Sequence, residues 1–287
     1  ILAAAAKAHN IPFVLSTVGT ASIETVAELT DGQAWFQLYH PADDDLRDKI
    51  IDRAAEAGCP VLVILADTPT FGYRPREIRN GLSIPPRMTL RNILQMMLNP
   101  TWSLSQLAAG PPGFKTLTPY VPKGLSMKHL ALFMNKTFSG RLNEDRIKAI
   151  RDRWQGKLVV KGIVNEEDCE KVVRLGADGI IASNHGGRQL DAGQSTIKPL
   201  PSLVRSFGDK LTIMIDSGIR SGPDIACALA SGARFTFLGR SFMYGVGALG
   251  RKGGDHTISM LKRQLQQIME QLACERVADF PAHLVED

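Results

Sequence analysis

Residues 179–191 read G-I-I-A-S-N-H-G-G-R-Q-L-D. The apolar run Gly179–Ala182 passes straight into a glycine-softened turn that holds His185 and Arg188, three positions apart. A run without polar alternation is the mark of a strand covered on both faces, and such strands belong to parallel sheets. Polar groups gathered just beyond its carboxyl end suggest a strand that delivers chemistry at one end only.

The same pattern recurs through the chain. I-P-F-V-L-S-T (11–17), A-W-F-Q-L-Y-H (34–40), V-L-V-I-L-A-D (61–67), K-L-V-V-K-G-I (157–163), L-T-I-M-I-D-S (211–217) and R-F-T-F-L-G-R (234–240) join 179–185 as seven candidate strands. Helical patterns separate them at 22–30, 43–57, 144–154, 166–175, 198–207, 222–231 and 257–272, and Gly58, Gly176 and Gly232 stand where helices stop. Strand then helix, repeated, predicts an α/β chain with helical crossovers. The usual closed form has eight strands. This chain opens at Ile1 with a helix-forming stretch, I-L-A-A-A-A-K-A-H-N, and no strand before it. The expectation is therefore a (β/α)8 TIM barrel lacking its N-terminal region and first strand. The competing doubly wound sheet announces itself by G-x-G-x-x-G after an early strand, which is absent here.

Composition fits one domain over residues 1–287: 44% of residues are hydrophobic, enough for a substantial core. Cys59, Cys169, Cys227 and Cys274 are dispersed, which argues against a disulfide frame or a zinc site and for a reducing, cytoplasmic setting. No metal site is expected. One interval breaks the alternation. Residues 72–142, between the third and fourth visible strands, hold ten Lys/Arg against the single acid Glu77. That is +9 locally against +5 for the whole chain, so the remainder carries −4. Within it, 92–114 has no charge, and Met96, Met97, Leu98 and Trp102 form an apolar patch flanked by Arg87, Arg91 and Lys115. A basic excursion of this length reads as an anion-facing surface piece, a lid or a subunit contact. Nothing resembling a nucleic-acid motif accompanies it.

In a parallel barrel the site forms at the carboxyl ends of the strands. Read in order, those ends supply Ser16, Gln37 with Tyr39, Asp67, Lys161, Asn184 and His185 with Arg188, Asp216 with Gly218, and Gly239 with Arg240. Each has a bland reading: a histidine in a hydrogen-bonded turn, an aspartate capping D-T-P-T, arginines on the surface. Together they form a pattern. A carboxylate beside an imidazole fixes its tautomer, as a general base requires. Planar guanidinia at Arg188 and Arg74 suit a substrate carboxylate. The turns D-S-G-I-R-S-G (216–222) and L-G-R-S (238–241) place glycines, Arg220 and Arg240 where a barrel commonly holds phosphate.

S-N-H-G-G-R-Q-L-D (183–191), with F-Q-L-Y (36–39), V-K-G-I (160–163), D-S-G-I-R (216–220) and L-G-R (238–240) in that order, resembles the FMN-dependent L-2-hydroxy-acid oxidising family of glycolate and lactate oxidases, L-lactate dehydrogenase and mandelate dehydrogenase. The resemblance spans the chain and implies that FMN is the cofactor. It implies that His185 is the base and Asp67 its support, and that Arg188 and Arg74 hold the substrate carboxylate. Tyr39 would take the hydroxyl, and Lys161 would stabilise charge on the flavin. Ser16, Gln37 and Ser183 would contact the flavin, and Asp216, Ser217, Gly218, Arg220, Gly239 and Arg240 its ribityl-phosphate arm. Leu65 and Val18 depart from the family pattern, Leu65 where the family often has a flavin-bonding threonine and Val18 where some oxidases carry a tryptophan near the substrate. The excursion Y-R-P-R-E-I-R-N-G (73–81) with N-P-T-W-S-L (99–104) looks more like the dehydrogenase branch. That branch implies a quinone or other carrier as acceptor, and a peripheral place on an anionic membrane at the inner face of the cell membrane. The family also implies a homo-oligomer, a tetramer by analogy. An oxidase passing electrons to oxygen, and a flavin-free remnant, are the alternatives.

Overall fold

In the computed structural model, residues 1–70, 74–81, 88–110, 113–122, 127–138 and 141–285 are described. Six of the seven apolar runs form strands: β1 (Val14–Ser16), β2 (Trp35–Leu38), β3 (Val61–Leu65), β4 (Lys157–Lys161), β5 (Gly179–Ala182) and β6 (Thr212–Ile215). Each pairs in parallel with the next, and their order in the sheet is their order in the chain. A doubly wound sheet reverses direction part-way; this one never does, so it is the arc of a barrel. The arc stands short of closure, with no strand on the free side of β1 among the described residues.

The seventh run, 234–240, departs from expectation. It contributes one parallel bridge, Ile215 to Thr236, rather than a strand. Its backbone pairs with β6 on one side, through Ile215 N–H to the Phe235 carbonyl and Phe237 N–H to the Ile215 carbonyl. Among the described residues no neighbour pairs with its other edge, so half of the ladder that would hold it extended is missing.

Side chains alternate across each strand. One set faces the helices and builds the main core, in which Phe36, Leu38, Leu62, Ile64, Leu158, Val160, Ile180, Ile213 and Ile215 are essentially fully buried. The other set fills the barrel: Val61, Val63, Val159, Ile181 and Met214, with Val14, Trp35, Phe235 and Phe237 packed against them. Trp35 meets Phe237 at a tilt and Phe237 meets Phe235 edge to face, with ring centroids 5.6 and 5.1 Å apart. Counting on by twos along the inward set leads from Trp35 to Gln37 and Tyr39, and from Val63 to Leu65 and Asp67. It also leads from Val159 to Lys161, from Ile181 to Ser183 and His185, and from Met214 to Asp216. The interior therefore turns from apolar to polar at one mouth, by periodicity alone.

The described part of the excursion between β3 and β4 is largely helical. It contains Pro75–Arg79, Leu90–Met97, Pro100–Ala109 and Met127–Thr137. Thr89 caps the second helix by accepting from Asn92 N–H, and Asn99–Pro100 separates it from the third. Arg87 and Lys123 of the basic block lie outside the described residues.

Candidate active site

Asp67, just past β3, is the hub of the mouth. Its Oδ1 lies 3.2 Å from His185 Nδ1 and accepts from the Thr68 hydroxyl at 3.1 Å. Its Oδ2 accepts from the Ser183 hydroxyl at 3.2 Å and lies 3.4 Å from Lys161 Nζ. Lys161, at the end of β4, also donates to Ser183 Oγ at 2.7 Å and pairs with Asp216 at 3.3 Å. The side chains of Lys161 and Asp67 are only 14% and 9% exposed. Two acids, Asp67 and Asp216, therefore neutralise Lys161.

Burial alone would raise the Asp67 carboxyl, but the hydrogen bond from His185 and the charge of Lys161 outweigh it and hold it below the usual carboxylate range. Burial alone would lower Lys161, but Asp216 and Asp67 outweigh it and hold the ammonium above its ordinary value. Asp67 is thus an anion that only accepts, so the facing Nδ1 of His185 carries hydrogen and, in the neutral ring, Nε2 carries the lone pair. The Tyr39 phenol, half-buried and edge-on to Phe138, is pushed up by burial.

Local backbone shape makes this possible. His185 (φ 56°) and Ser217 (φ 77°) both sit in the left-handed region, which non-glycine residues occupy at a cost and which recurs at functional sites. Ser217 Oγ accepts from the N–H of Asn184 and of Gly186 and donates to Asp216, so it binds the β6 turn to the histidine turn. Gly162 has φ 102°, and a Cβ there would sit 2.6 Å from Asp67 Cβ. We expect Gly162→Ala to displace Asp67, costing at least about 1–3 kcal/mol from the backbone conformation alone. Thermal unfolding checks it; a melting temperature equal to wild type would show that the turn takes the extra carbon without displacing Asp67.

Arg74 and Arg188 come together, but through an acid. Glu77 lies 3.4 Å from Arg74 and 2.6 Å from Arg188, using a different oxygen for each. Gln189 braces the pair, accepting from Arg74 and donating to the Thr70 carbonyl. Sequence reasoning missed Glu77, Thr68 and Gln189 as parts of the mouth. Glu77 had one signal, as the lone acid in a block of ten cations.

The two candidate phosphate turns differ. At Gly222–Ala230 the helix start is occupied: Asp224 accepts from the N–H groups of Arg220 and Ser221. The helix Arg240–Leu249 begins after Gly239 with no side-chain cap, leaving first-turn N–H groups for an anion. Arg240 donates to the Gly186 carbonyl, and Arg220 lies over the Tyr244 ring. Ser16, at the end of β1, accepts weakly from Val18 N–H. Gln37, at the end of β2, is buried, and its Nε2 has no hydrogen-bond partner among the described residues. A buried amide left so costs about 1–3 kcal/mol. It suits a flavin ring, which presents carbonyl and ring-nitrogen acceptors.

The barrel mouth thus pairs a histidine with a buried aspartate and ammonium, with an unsatisfied donor at one side and a helix start without a side-chain cap at the other, a set that suits a phosphate-bearing redox cofactor and an acidic substrate. The FMN-dependent dehydrogenase family model matches residues 1–287, and the chain belongs to that family. It is 39% identical over 269 residues to the L-lactate dehydrogenase of Pseudomonas syringae pv. syringae, covering 93% of this chain and 70% of that protein. It is 37% identical over 279 residues to the L-lactate dehydrogenase of Vibrio parahaemolyticus, covering 97% and 73%. Among solved structures it resembles the monotopic membrane protein (S)-mandelate dehydrogenase, with a TM-score of 0.89 and 36% identity over the whole of this chain and 76% of the other. The protein is an FMN-dependent hydroxy-acid oxidoreductase on a (β/α)8-barrel framework.

Proposed function

We propose that the protein oxidises an L-2-hydroxy acid of the L-lactate type to the 2-oxo acid and passes the electrons to a quinone or another carrier. The observation that carries this reading is the convergence of the His185–Asp67 pair, Lys161 and two arginines on one barrel mouth. The whole of residues 1–287 acts as one FMN-binding unit. Bound FMN supplies a two-electron acceptor. Ser16, Gln37, Lys161 and Ser183 would hold its ring. Asp216, Ser217, Gly218 and Arg220 would hold the ribityl chain, and Gly239 and Arg240 the phosphate at the uncapped helix.

Arg74 and Arg188 bind the substrate carboxylate and so fix which face of the acid is presented. Tyr39 hydrogen-bonds the substrate oxygen; its raised pKa keeps it a donor at neutral pH. His185 Nε2 takes a proton from the substrate, and Asp67 stabilises the imidazolium that results. Lys161 meets negative charge that develops on the cofactor side, where a buried ammonium acts most strongly.

The test is anaerobic. L-lactate or L-mandelate added to the FMN-loaded protein should bleach the flavin absorbance. A bound flavin that no 2-hydroxy acid reduces would refute the assigned chemistry. Admitting a quinone or oxygen then identifies the acceptor, since hydrogen peroxide appears only with oxygen.

The excursion supports a peripheral membrane contact. Leu90, Ile93, Leu94 and Met97 follow the i, i+3, i+4, i+7 spacing of one helix face, and all are exposed. Trp102, Leu104 and Leu107 on the next helix are exposed too, Leu107 at 80%. Arg91 and Lys115 flank them with positive charge. No helix among the described residues is long and apolar enough to cross a membrane. We expect the protein to float with anionic vesicles at low salt and to be released as salt screens the charge. Leu104→Asp with Leu107→Asp should abolish flotation and leave flavin reduction intact; flotation by that variant would remove this face from the contact.

A further inference from the structure

The trio Arg74, Glu77 and Arg188 bears on which acids the site accepts, an inference that rests on the hydroxy-acid reading. Each oxygen of Glu77 meets a different guanidinium, at 3.4 and 2.6 Å. This is the way a substrate carboxylate would bridge the same two arginines. The arrangement is braced from two loops. Arg74 and Glu77 stand three residues apart around the first turn of the short helix Pro75–Arg79, while Arg188 follows the histidine turn. Arg74 Nε lies 3.4 Å from the Arg188 carbonyl, and Gln189 ties the Arg188 side to Thr70. Arg76 and Arg79 of the same helix are exposed.

We infer that Glu77 sets the charge class of the substrate: the trio admits a monocarboxylate and disfavours a dicarboxylate. Two guanidinia and one resident carboxylate leave a single positive charge, which one substrate carboxylate neutralises. A second carboxylate would bring surplus negative charge beside Glu77, and like charges placed together are a standard means of rejecting a ligand. Removing the charge of Glu77 should therefore favour dianions more than monoanions.

The probes are propionate and malonate, unreactive three-carbon acids that differ by one carboxylate. They are titrated into the FMN-loaded protein by calorimetry, with the flavin spectrum as a second readout. The wild type should bind propionate more tightly than malonate. Glu77→Gln should raise the malonate-to-propionate affinity ratio about fivefold, the scale of one partly exposed charge contact, and Glu77→Asp should keep the wild-type ratio. An unchanged ratio in Glu77→Gln overturns the inference. So does a wild-type preference for malonate, which needs no variant. If the wild type binds neither acid and no 2-hydroxy acid bleaches the flavin, the hydroxy-acid reading falls and this inference with it. If L-lactate bleaches the flavin while the ratio stays fixed, only the inference falls.

Discussion

Replacing His185 by glutamine lowers the rate of flavin bleaching by a 2-hydroxy acid by about 10²–10⁴-fold, the usual worth of a positioned general base. Glutamine can still donate to Asp67 and fill much of the same volume, but it cannot take a proton. The FMN spectrum and the melting temperature should therefore stay near wild type while the reductive rate collapses. Stopped-flow absorbance under anaerobic conditions reads the rate directly. A variant within about tenfold of wild type would mean that the proton goes elsewhere. His185 occupies a left-handed backbone conformation at φ 56°, so the position already bears a cost that glutamine shares. A stability loss in the variant should be small for that reason.

The second large effect concerns Lys161. Lys161→Met leaves the Asp67 and Asp216 carboxylates facing each other at the mouth without the ammonium that separates them. Breaking a buried pair from one side costs about 3–5 kcal/mol, because the remaining charge stays in a poorly solvated place. The pH dependence should identify the cause. In the wild type Asp67 is held low, so its contribution is present above the ordinary carboxylate range and is lost as pH falls through its folded value. Lys161 is held high, so its contribution is complete below the ordinary lysine range and is lost as pH rises through its folded value. The deficit of Lys161→Met should therefore be greatest near neutrality. It should narrow on acidification, as the carboxylates take up protons, and again at strongly alkaline pH, where the wild type loses its own ammonium. Melting temperatures of both proteins across pH test this; a deficit independent of pH would mark a packing defect instead.

Much of this was legible before any coordinates. The six strands lie where unalternating apolar runs predict them, and the parallel order follows from strand–helix repetition. The mouth residues could be named because a strand alternates strictly and a barrel puts its chemistry at one end. Three things were not legible. The seventh run has the composition of a strand, yet it keeps one bridge, since pairing depends on a neighbour that local sequence does not encode. The role of Glu77 depends on where a short helix in the excursion meets the loop after β5, a distance of 111 residues along the chain. The two glycine-rich turns look alike as sequence, but Asp224 fills one helix start and, among the described residues, no side chain caps the other. The resemblance to a family supplied roles for these residues, while the register and the hydrogen bonds supplied their positions.

The alternation that carries Trp35 to Gln37 and Val159 to Lys161 ties assembly to activity. A strand that slipped by one residue during folding would still find a partner for most of its backbone groups. It would, however, turn Gly162 inward and send the Lys161 ammonium among the helix-facing side chains. A single inserted or deleted residue in β4 is thus a different kind of lesion from a cavity in the core. Some molecules carrying it could remain compact and yet be chemically silent, so the yield of soluble protein would overstate the yield of working sites. Counting bound flavin per chain would separate the two populations.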